Sequence, residues 1–401
     1  MQTPYGHLTY CSNIHAGESW PEHFEKLQQY IPSIKQEVSP DKPFGLGLRL
    51  SDVASKTLYQ PDELKEFKHW LKENDVYIFT MNGFPFGSFH HTAVKDLVHA
   101  PDWLSQERVD YTIRLAEILA QLLPATMEGG ISTNPFTYRH WHPKEEWNSI
   151  FKKATLHLLH VVDALITIKK EKGILIHIDI EPEPDGLLDN GKEFLDWWDN
   201  YLLPIGISYL QDKWQLSSTE AESVLKAHVQ LCYDVCHFAI SYEDHAGMIH
   251  QLEKRGIKTG KIQISAALKG LFTENNSAEL IQAFKNFNEP VYLHQVVAKK
   301  TDGTLLRYRD LPQALEDSQH ADVAEWRAHF HVPIFIENYN VLQSTQADIK
   351  TVLQLQKEKA FTPYLEIETY TWEVLPQDMR LPMGQSISRE LNWVINLLHH
   401  S

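Results

Sequence analysis

Eight short, apolar, strand-like segments alternate with stretches of helical periodicity along almost the whole chain, and this alternation constrains the fold more than any other feature. The segments are residues 8–15, 44–51, 76–82, 127–134, 174–181, 229–236, 261–265 and 364–370. Between them apolar residues recur every three or four positions, the period of a helix with one buried face. Leu64, Phe67, Trp70 and Leu71 form such a face on 61–74, and Val109, Ile113, Ala116 and Leu119 another on 105–123. A third runs through Trp147, Phe151, Ala154, Leu158, Val161 and Leu165 and stops at Gly173, a C-terminal signal. Ser217 with Glu220, and Thr345 with Asp348, predict capping pairs before two further helices. Strand and helix in strict alternation imply right-handed crossovers and a parallel sheet, and eight strands favour closure into an α/β (β/α)8 TIM barrel. Length alone would allow two or three domains in 401 residues, but the unbroken alternation predicts one domain over 1–401. Residues 291–299 and 304–309 flank Thr301-Asp302-Gly303, which predicts a β-hairpin inserted at 291–309 before the last barrel strand. The segment 333–339 (PIFIENY) fits an accessory strand or a replacement for one of the eight.

Side chains alternate faces along a strand, so parity separates what a barrel turns outward from what it turns inward. In 174–181 the isoleucines at 174, 176, 178 and 180 share one face, and His177, Asp179 and Glu181 share the other. The apolar set must meet the helices, which leaves the ionisable set inside. The same test points Asp234, Gln263, Glu366 and Glu368 inward, with Glu181, Asp234 and Glu368 near the strand ends where barrels place their chemistry. Arg49 has inward parity on 44–51, and Asn13, His15 and Asn82 lie at other strand ends, positions suited to holding a substrate.

Carboxylates converging in a partly dry cavity repel one another unless a cation or protons neutralise them. Histidine supplies the complementary ligands. His237 follows Asp234 by three residues at the barrel mouth, and His329 and His331 share a face if extended. A divalent ion held by Asp, Glu and His is the economical reading, with zinc favoured over manganese or magnesium by the 22 histidines. Glu337 and Glu366 are rival carboxylates, and His177 and Asp179 lie deep enough to support ligands rather than act as them. His90-His91 and His399-His400 read as solvated loop or terminal residues, and Trp197-Trp198 as helix packing. Three cysteines cannot build a disulfide framework and suit a reducing cytoplasm. Cys232 fills core, and Gly45-Leu-Gly47 lacks the spacing and following helix of a phosphate loop. A net charge of −16 disfavours a nucleic-acid partner, and no apolar run is long enough to insert in a membrane.

At these positions the chain resembles the xylose-isomerase-like TIM barrels, which include sugar isomerases and epimerases and the endonuclease IV group. CYDVCHFA (232–239) is similar to that superfamily's strand bearing a metal Asp with His three residues later. IDIEPEP (178–184) is similar to the strand ending in its first metal Glu, and LEIETYTW (365–372) to its last, Glu-bearing strand. The resemblance implies Glu181, Asp234 and Glu368 as ligands and His237 as a substrate contact or second-metal ligand. The family's remaining ligand is a histidine on the next strand, where this chain has Gln263. In the endonuclease relatives a further metal is bound by a pair whose positions here are His329 and His331. More closely, the chain resembles the Ebo-type metabolite-traffic proteins, a bacterial branch. The match lies in LTYCSNIHAGESW (8–20), GGISTNPF (129–136), YLHQVVA (292–298), HFHVPIF (329–335) and LEIETYTWEVLP (365–376). That resemblance implies neighbours such as a membrane prenyltransferase and a transporter-like protein that move a metabolite precursor.

The expected activity is metal-dependent isomerisation or epimerisation of a small sugar-like or polyol substrate. Glu181 and Glu368 would exchange the proton, His237 would hold a substrate oxygen, and Asn13, His15, Arg49, Asn82 and His329 would bind the substrate. The expected metal set is Glu181, Asp234, Gln263, His331 and Glu368. Metal-assisted phosphodiester hydrolysis and non-catalytic binding of a metabolite are the alternatives.

Overall fold

The computed structural model describes residues 1–87, 95–317, 322–370 and 382–399; His90-His91, His400 and the motif residues from Thr371 to Pro376 lie outside them. A nine-stranded sheet contains β1 (Gln2–Thr3), β2 (Gly6–Tyr10), β3 (Phe44–Arg49), β4 (Val76–Asn82), β5 (Gly129–Thr133), β6 (Ile176–Ile180), β7 (Val229–Asp234), β8 (Thr259–Ile264) and, much later in the chain, β15 (Tyr364–Ile367). β1 is a short antiparallel addition to β2. The other eight pair in parallel and in sequence order, with β15 lying between β8 and β2. The seam between β2 and β3 is closed by a parallel bridge from Cys11 to Gly47 and by the Gly47 N–H donating to Thr9 Oγ1 at 2.9 Å. The result is the (β/α)8 TIM barrel that the alternation predicts, and all eight barrel strands overlap the expected segments.

The helices form where their signals lie. Ser217 and Glu220 make a reciprocal capping box, and the long helix Trp147–Lys172 ends at Gly173 in the left-handed region, φ 73°. Thr345 departs from expectation. Its hydroxyl accepts from the Ala267 N–H (2.9 Å), and Asp348 turns to His245 (3.2 Å) and Arg327 (3.5 Å), so no capping pair forms. No helix among the described residues is long and apolar enough to cross a membrane.

The expected hairpin is present as β10 (Val296–Lys300) and β11 (Leu305–Tyr308), turning at Gly303 with φ 87°. It is one part of a larger unit. With β9 (Leu268–Leu271), β12 (Val323–Ala328), β13 (Asn338–Tyr339) and β14 (Leu342–Ser344) it builds a six-stranded antiparallel sheet in the order β11-β10-β12-β9-β14-β13. Residues 333–339 replace no barrel strand: only Asn338–Tyr339 is extended, paired with β14. The hairpin's first strand begins at Val296, because residues 291–295 run across the barrel mouth instead.

Inside the barrel, small residues make room for buried charge. A Cβ on Gly47 would lie 1.8 Å from Glu366 Oε1, and one on Gly260 would lie 1.9 Å from Asp179 Oδ1. Gly47 in the Gly45-Leu-Gly47 run thus serves clearance, since a side chain there would displace Glu366 from its partner Lys261. Gly260→Ala is expected to lower stability by about 1–3 kcal/mol, the usual cost of overpacking. A urea-unfolding midpoint equal to wild type would show that Asp179 can yield.

The last helix, Met383–His399, buries Glu390, whose Oε1 accepts from the Ile334 N–H (3.0 Å) and the Thr369 hydroxyl (2.8 Å). Burial pushes this carboxyl up to about 8. The native state therefore binds a proton that the unfolded chain releases near the ordinary value of 4.5, so stability falls as pH rises between 4.5 and about 8. Glu390→Gln keeps both hydrogen bonds and removes this slope. Relative to that variant, the wild type is expected to lose on the order of 3–5 kcal/mol between pH 5 and pH 8.5. Parallel pH profiles of the two unfolding free energies would overturn it.

Candidate functional site

Four neighbouring strands deliver the polar centre. Asp234 ends β7 and Gln263 lies in β8, while Glu181 and Glu368 directly follow β6 and β15. Their backbones continue the barrel ladder: the Glu181 N–H donates to Thr133 O (3.0 Å) and the Glu368 N–H to Ile264 O (3.1 Å). This ladder fixes where the side chains start, and parity aims them inward. Carboxylate oxygens of Glu181, Asp234 and Glu368 lie within 4.8 Å of one another, all buried. Gln263 Nε2 donates to all three: Glu181 Oε1 (3.2 Å), Asp234 Oδ2 (3.2 Å) and Glu368 Oε2 (2.5 Å).

Two of the three carboxylates are also held from behind. Asn13 and Asn82 both donate to Glu368 Oε1 at 2.7 Å. Asp234 Oδ1 caps the short helix Val235–Ile240 by accepting from the His237 N–H (3.1 Å) and receives the Ser265 hydroxyl (2.7 Å). Burial first, then repulsion from Glu368 and Asp234, raises the Glu181 carboxyl well above its ordinary range. Burial followed by Asp234 and Glu366 does the same for Glu368. Glu181 Oε2 is buried with no hydrogen-bond partner among the described residues. An orphaned carboxylate oxygen, three converging acids and an amide make a donor set that fits a divalent cation.

Histidines form a second layer toward the mouth. Gln295 Nε2 donates to Pro184 O (2.9 Å), which leaves its Oε1 to accept from His329 Nδ1 (2.7 Å). His329 Nε2 therefore carries a lone pair and faces His237 Nε2 at 3.1 Å, while His237 donates from Nδ1 to Pro182 O at 3.1 Å. Burial and the neighbouring imidazoles hold His329 well below its ordinary value, which agrees with a neutral ring. His331 donates from Nδ1 to Glu368 O (3.1 Å) and stacks on Tyr370 with centroids 4.6 Å apart. Its burial lowers it to about 4, so it too is neutral near pH 7. Potential ligand atoms of Asp234, His237 and His331 lie within 4.8 Å of one another, and so do those of Glu183, His237 and His329.

Most of the residues proposed from the sequence meet here. Glu181, Glu368, His237, His329, His331, Asn13 and Asn82 line one cavity, and Asp234 and Gln263 lie against its floor. His15 and Arg49 are not brought to it. His15 pairs with the Tyr10 hydroxyl (2.8 Å) and stacks on Tyr30 at 5.0 Å, because β2 ends at Tyr10 and a 3-10 turn over Ser12–Ile14 breaks the alternation. Arg49 donates to Gly87 O and faces Glu18 at 3.7 Å. The rival acids lie elsewhere: Glu337 is exposed beside Lys350 (3.4 Å), and Glu366 pairs with Lys261 deeper in the barrel.

Sequence reasoning overlooked Glu183, Gln295 and His99, which line the cavity together with Tyr370, a residue of inward parity on the last strand segment. Glu183 had a signal. In Glu181-Pro182-Glu183-Pro184 each proline forces the preceding residue into extended backbone, so the two glutamates share a face. His99, 2.8 Å from Glu183, sits on the short 3-10 helix Lys95–His99 and had none. All three thiols are raised well above ordinary values, chiefly by burial, which removes a cysteine nucleophile from consideration.

No family model and no curated protein matches the chain. Among solved structures, it is similar to the IolI protein with a bound zinc atom, at 11% identity and a TM-score of 0.49, covering 98% of this chain and 100% of that one. It is similar to an L-ribulose 3-epimerase at 9% identity and a TM-score of 0.48, covering 98% of this chain and 94% of that one. A D-allulose 3-epimerase from Methylomonas sp. in complex with D-allulose aligns at 11% identity and a TM-score of 0.47, with 98% of each chain covered.

Proposed function

We propose that this protein is a metal-dependent isomerase or epimerase-like enzyme acting on a small polyhydroxylated metabolite. The observation that carries the reading is the convergence of Glu181, Asp234 and Glu368 within 4.8 Å at the barrel mouth. A divalent cation held by these residues with Gln263, and with His331 beside them, would polarise adjacent substrate oxygens and acidify the carbinol C–H between them. Glu181 Oε2, which no donor among the described residues occupies, takes the proton from that carbon. Glu368, steadied by Asn13 and Asn82, stands across the centre to return one to the opposite face. His237, anchored through Nδ1 to Pro182 O, turns its Nε2 to a substrate hydroxyl beside His329, which Gln295 orients. Tyr370 and the stacked His331 form a flat wall suited to a sugar face.

The motifs shared with the Ebo-type proteins support placing such a reaction in a bacterial metabolite-processing or traffic pathway in the cytoplasm. Phosphodiester hydrolysis draws support from the three histidines, but Lys95 is the one Lys or Arg among the described residues lining the cavity, and it is paired with Asp310 at 2.7 Å. The test is solvent-proton exchange. The protein, supplied in turn with Mg2+, Mn2+ and Zn2+, is incubated in D2O with a panel of ketoses, aldoses and polyols and followed by NMR. Deuterium entering one carbinol position supports the reading. Tight binding of a panel member without exchange under any of the metals would replace it with a metabolite-binding role.

A further inference from the structure

The most unusual group in the barrel is the Gln263 carboxamide. Its nitrogen has two hydrogens and three carboxylate acceptors, at 2.5–3.2 Å, so at least one hydrogen is shared. On the other side its Oε1 accepts from Cys232 Sγ (2.6 Å), which fixes the amide's orientation. The side chain is fully buried in β8 between two paired strands, so its backbone cannot move aside. Among the protein's own atoms, the –NH2 thus stands where the three acids converge and partly offsets their repulsion. A cation bound by the same oxygens cannot coexist with N–H hydrogens pointing at it.

An amide can resolve this conflict in place. Its last torsion has two wells about half a turn apart, and the turn exchanges N for O while the Cys232 side chain, now 2.6 Å from the amide oxygen, draws back to receive an N–H. We propose that Gln263 is a two-position residue: its –NH2 faces the acids when no cation is held, and a half-turn presents Oε1 to a cation while the –NH2 turns to the Cys232 sulfur. This rests on the metal reading above and deepens it. Two consequences follow from the chemistry. The amide competes with the metal, so binding is weaker than three carboxylates alone would suggest. The set formed by Glu181, Asp234, Glu368 and Gln263 is also entirely oxygen, which suits Mg2+ or Mn2+ and withdraws the nitrogen that favours zinc. On this proposal the preference moves from zinc toward Mg2+ or Mn2+, with the imidazoles in the adjoining layer where His237 and His331 come within 4.8 Å of Asp234.

The test measures binding of the metals alone. Dissociation constants for Mn2+ and Zn2+ are obtained by calorimetry, with Mn2+ checked by electron paramagnetic resonance, for the wild type and Gln263→His. Replacing the amide by imidazole is expected to shift the preference toward Zn2+ by at least about tenfold. Independently of the histidine variant, the Gln263 side-chain NH2 signal in the wild-type 15N spectrum, identified by its loss in Gln263→Met, is expected to move on Mg2+ addition as it leaves the carboxylates. Metals that bind with an unchanged Zn:Mn ratio, or an NH2 signal that stays fixed at saturating Mg2+, would overturn the two-position role and leave the metal centre standing. Failure of the wild type and the histidine variant to bind either metal would overturn both.

Discussion

Glu181→Gln and Glu368→Gln are each expected to lower solvent-proton exchange by at least about 10^3-fold, within the range of a lost general acid or base and above it if cation binding fails too. The same substitutions should leave the protein as stable as wild type, or more so, in the absence of added metal. The sign follows from the direction of the shifts. Both carboxyls are raised in the folded state, so the native protein binds protons that the unfolded chain releases, and ionised acids at neutral pH oppose folding. Glutamine removes the charge and keeps the shape. A variant that loses activity while gaining thermal stability is the mark of a site whose strain serves function. Exchange persisting near the wild-type rate with full metal content in either variant would remove that residue from the mechanism.

The second large effect is structural. Lys261 and Glu366 face each other inside the barrel, both fully buried, with Lys261 Nζ donating to Glu366 Oε2. Burial alone would lower the lysine, but the facing Glu366 carboxylate carries it above its ordinary value, which keeps it charged at neutral pH. Lys261→Met is expected to cost ~3–5 kcal/mol, because it strands a carboxylate with no aqueous route to relief. Lys261→Met with Glu366→Gln should recover most of that loss, since neither member then remains as a lone buried charge. Urea unfolding of the two single variants and the double variant measures the coupling. A double variant no more stable than Lys261→Met would mean that lost packing, not the stranded charge, sets the cost. The pair also bears on the site, since Glu366 raises the nearby Glu368 carboxyl while Lys261 opposes it.

Much of the barrel and its acidic centre was legible in the order of residues. In Ile176–Ile180 the isoleucines and the His177–Asp179 pair separate by simple alternation, and the same alternation put Asp234 and Gln263 inside. Misreadings arose where alternation ends or stops being informative. Beyond Tyr10 the backbone turns, so the strand read as far as His15 ends early and His15 turns away from the cavity. Arg49 has the expected parity, opposite Asn82, but parity does not say which way a long side chain leans. The inserted sheet was visible only as one hairpin, because β9 and β14 are brief and β9, β12 and β14 find partners tens of residues away.

What the sequence by itself determined is the set of faces: eight strands, their inward residues, and three acids at one end. Those properties are local, since the pleat of a strand and the burial of its apolar face require no knowledge of distant neighbours. Only the tertiary structure decided which inward residues meet. Closing the ring brings Asn13, Asn82 and Glu368 together from the two ends of the chain and sets Gln263 among three carboxylates. The inserted segment carries Gln295, His329 and His331 over the mouth, where His329 joins His237. Such meetings depend on ring closure and long-range pairing, and no periodicity within a segment records them.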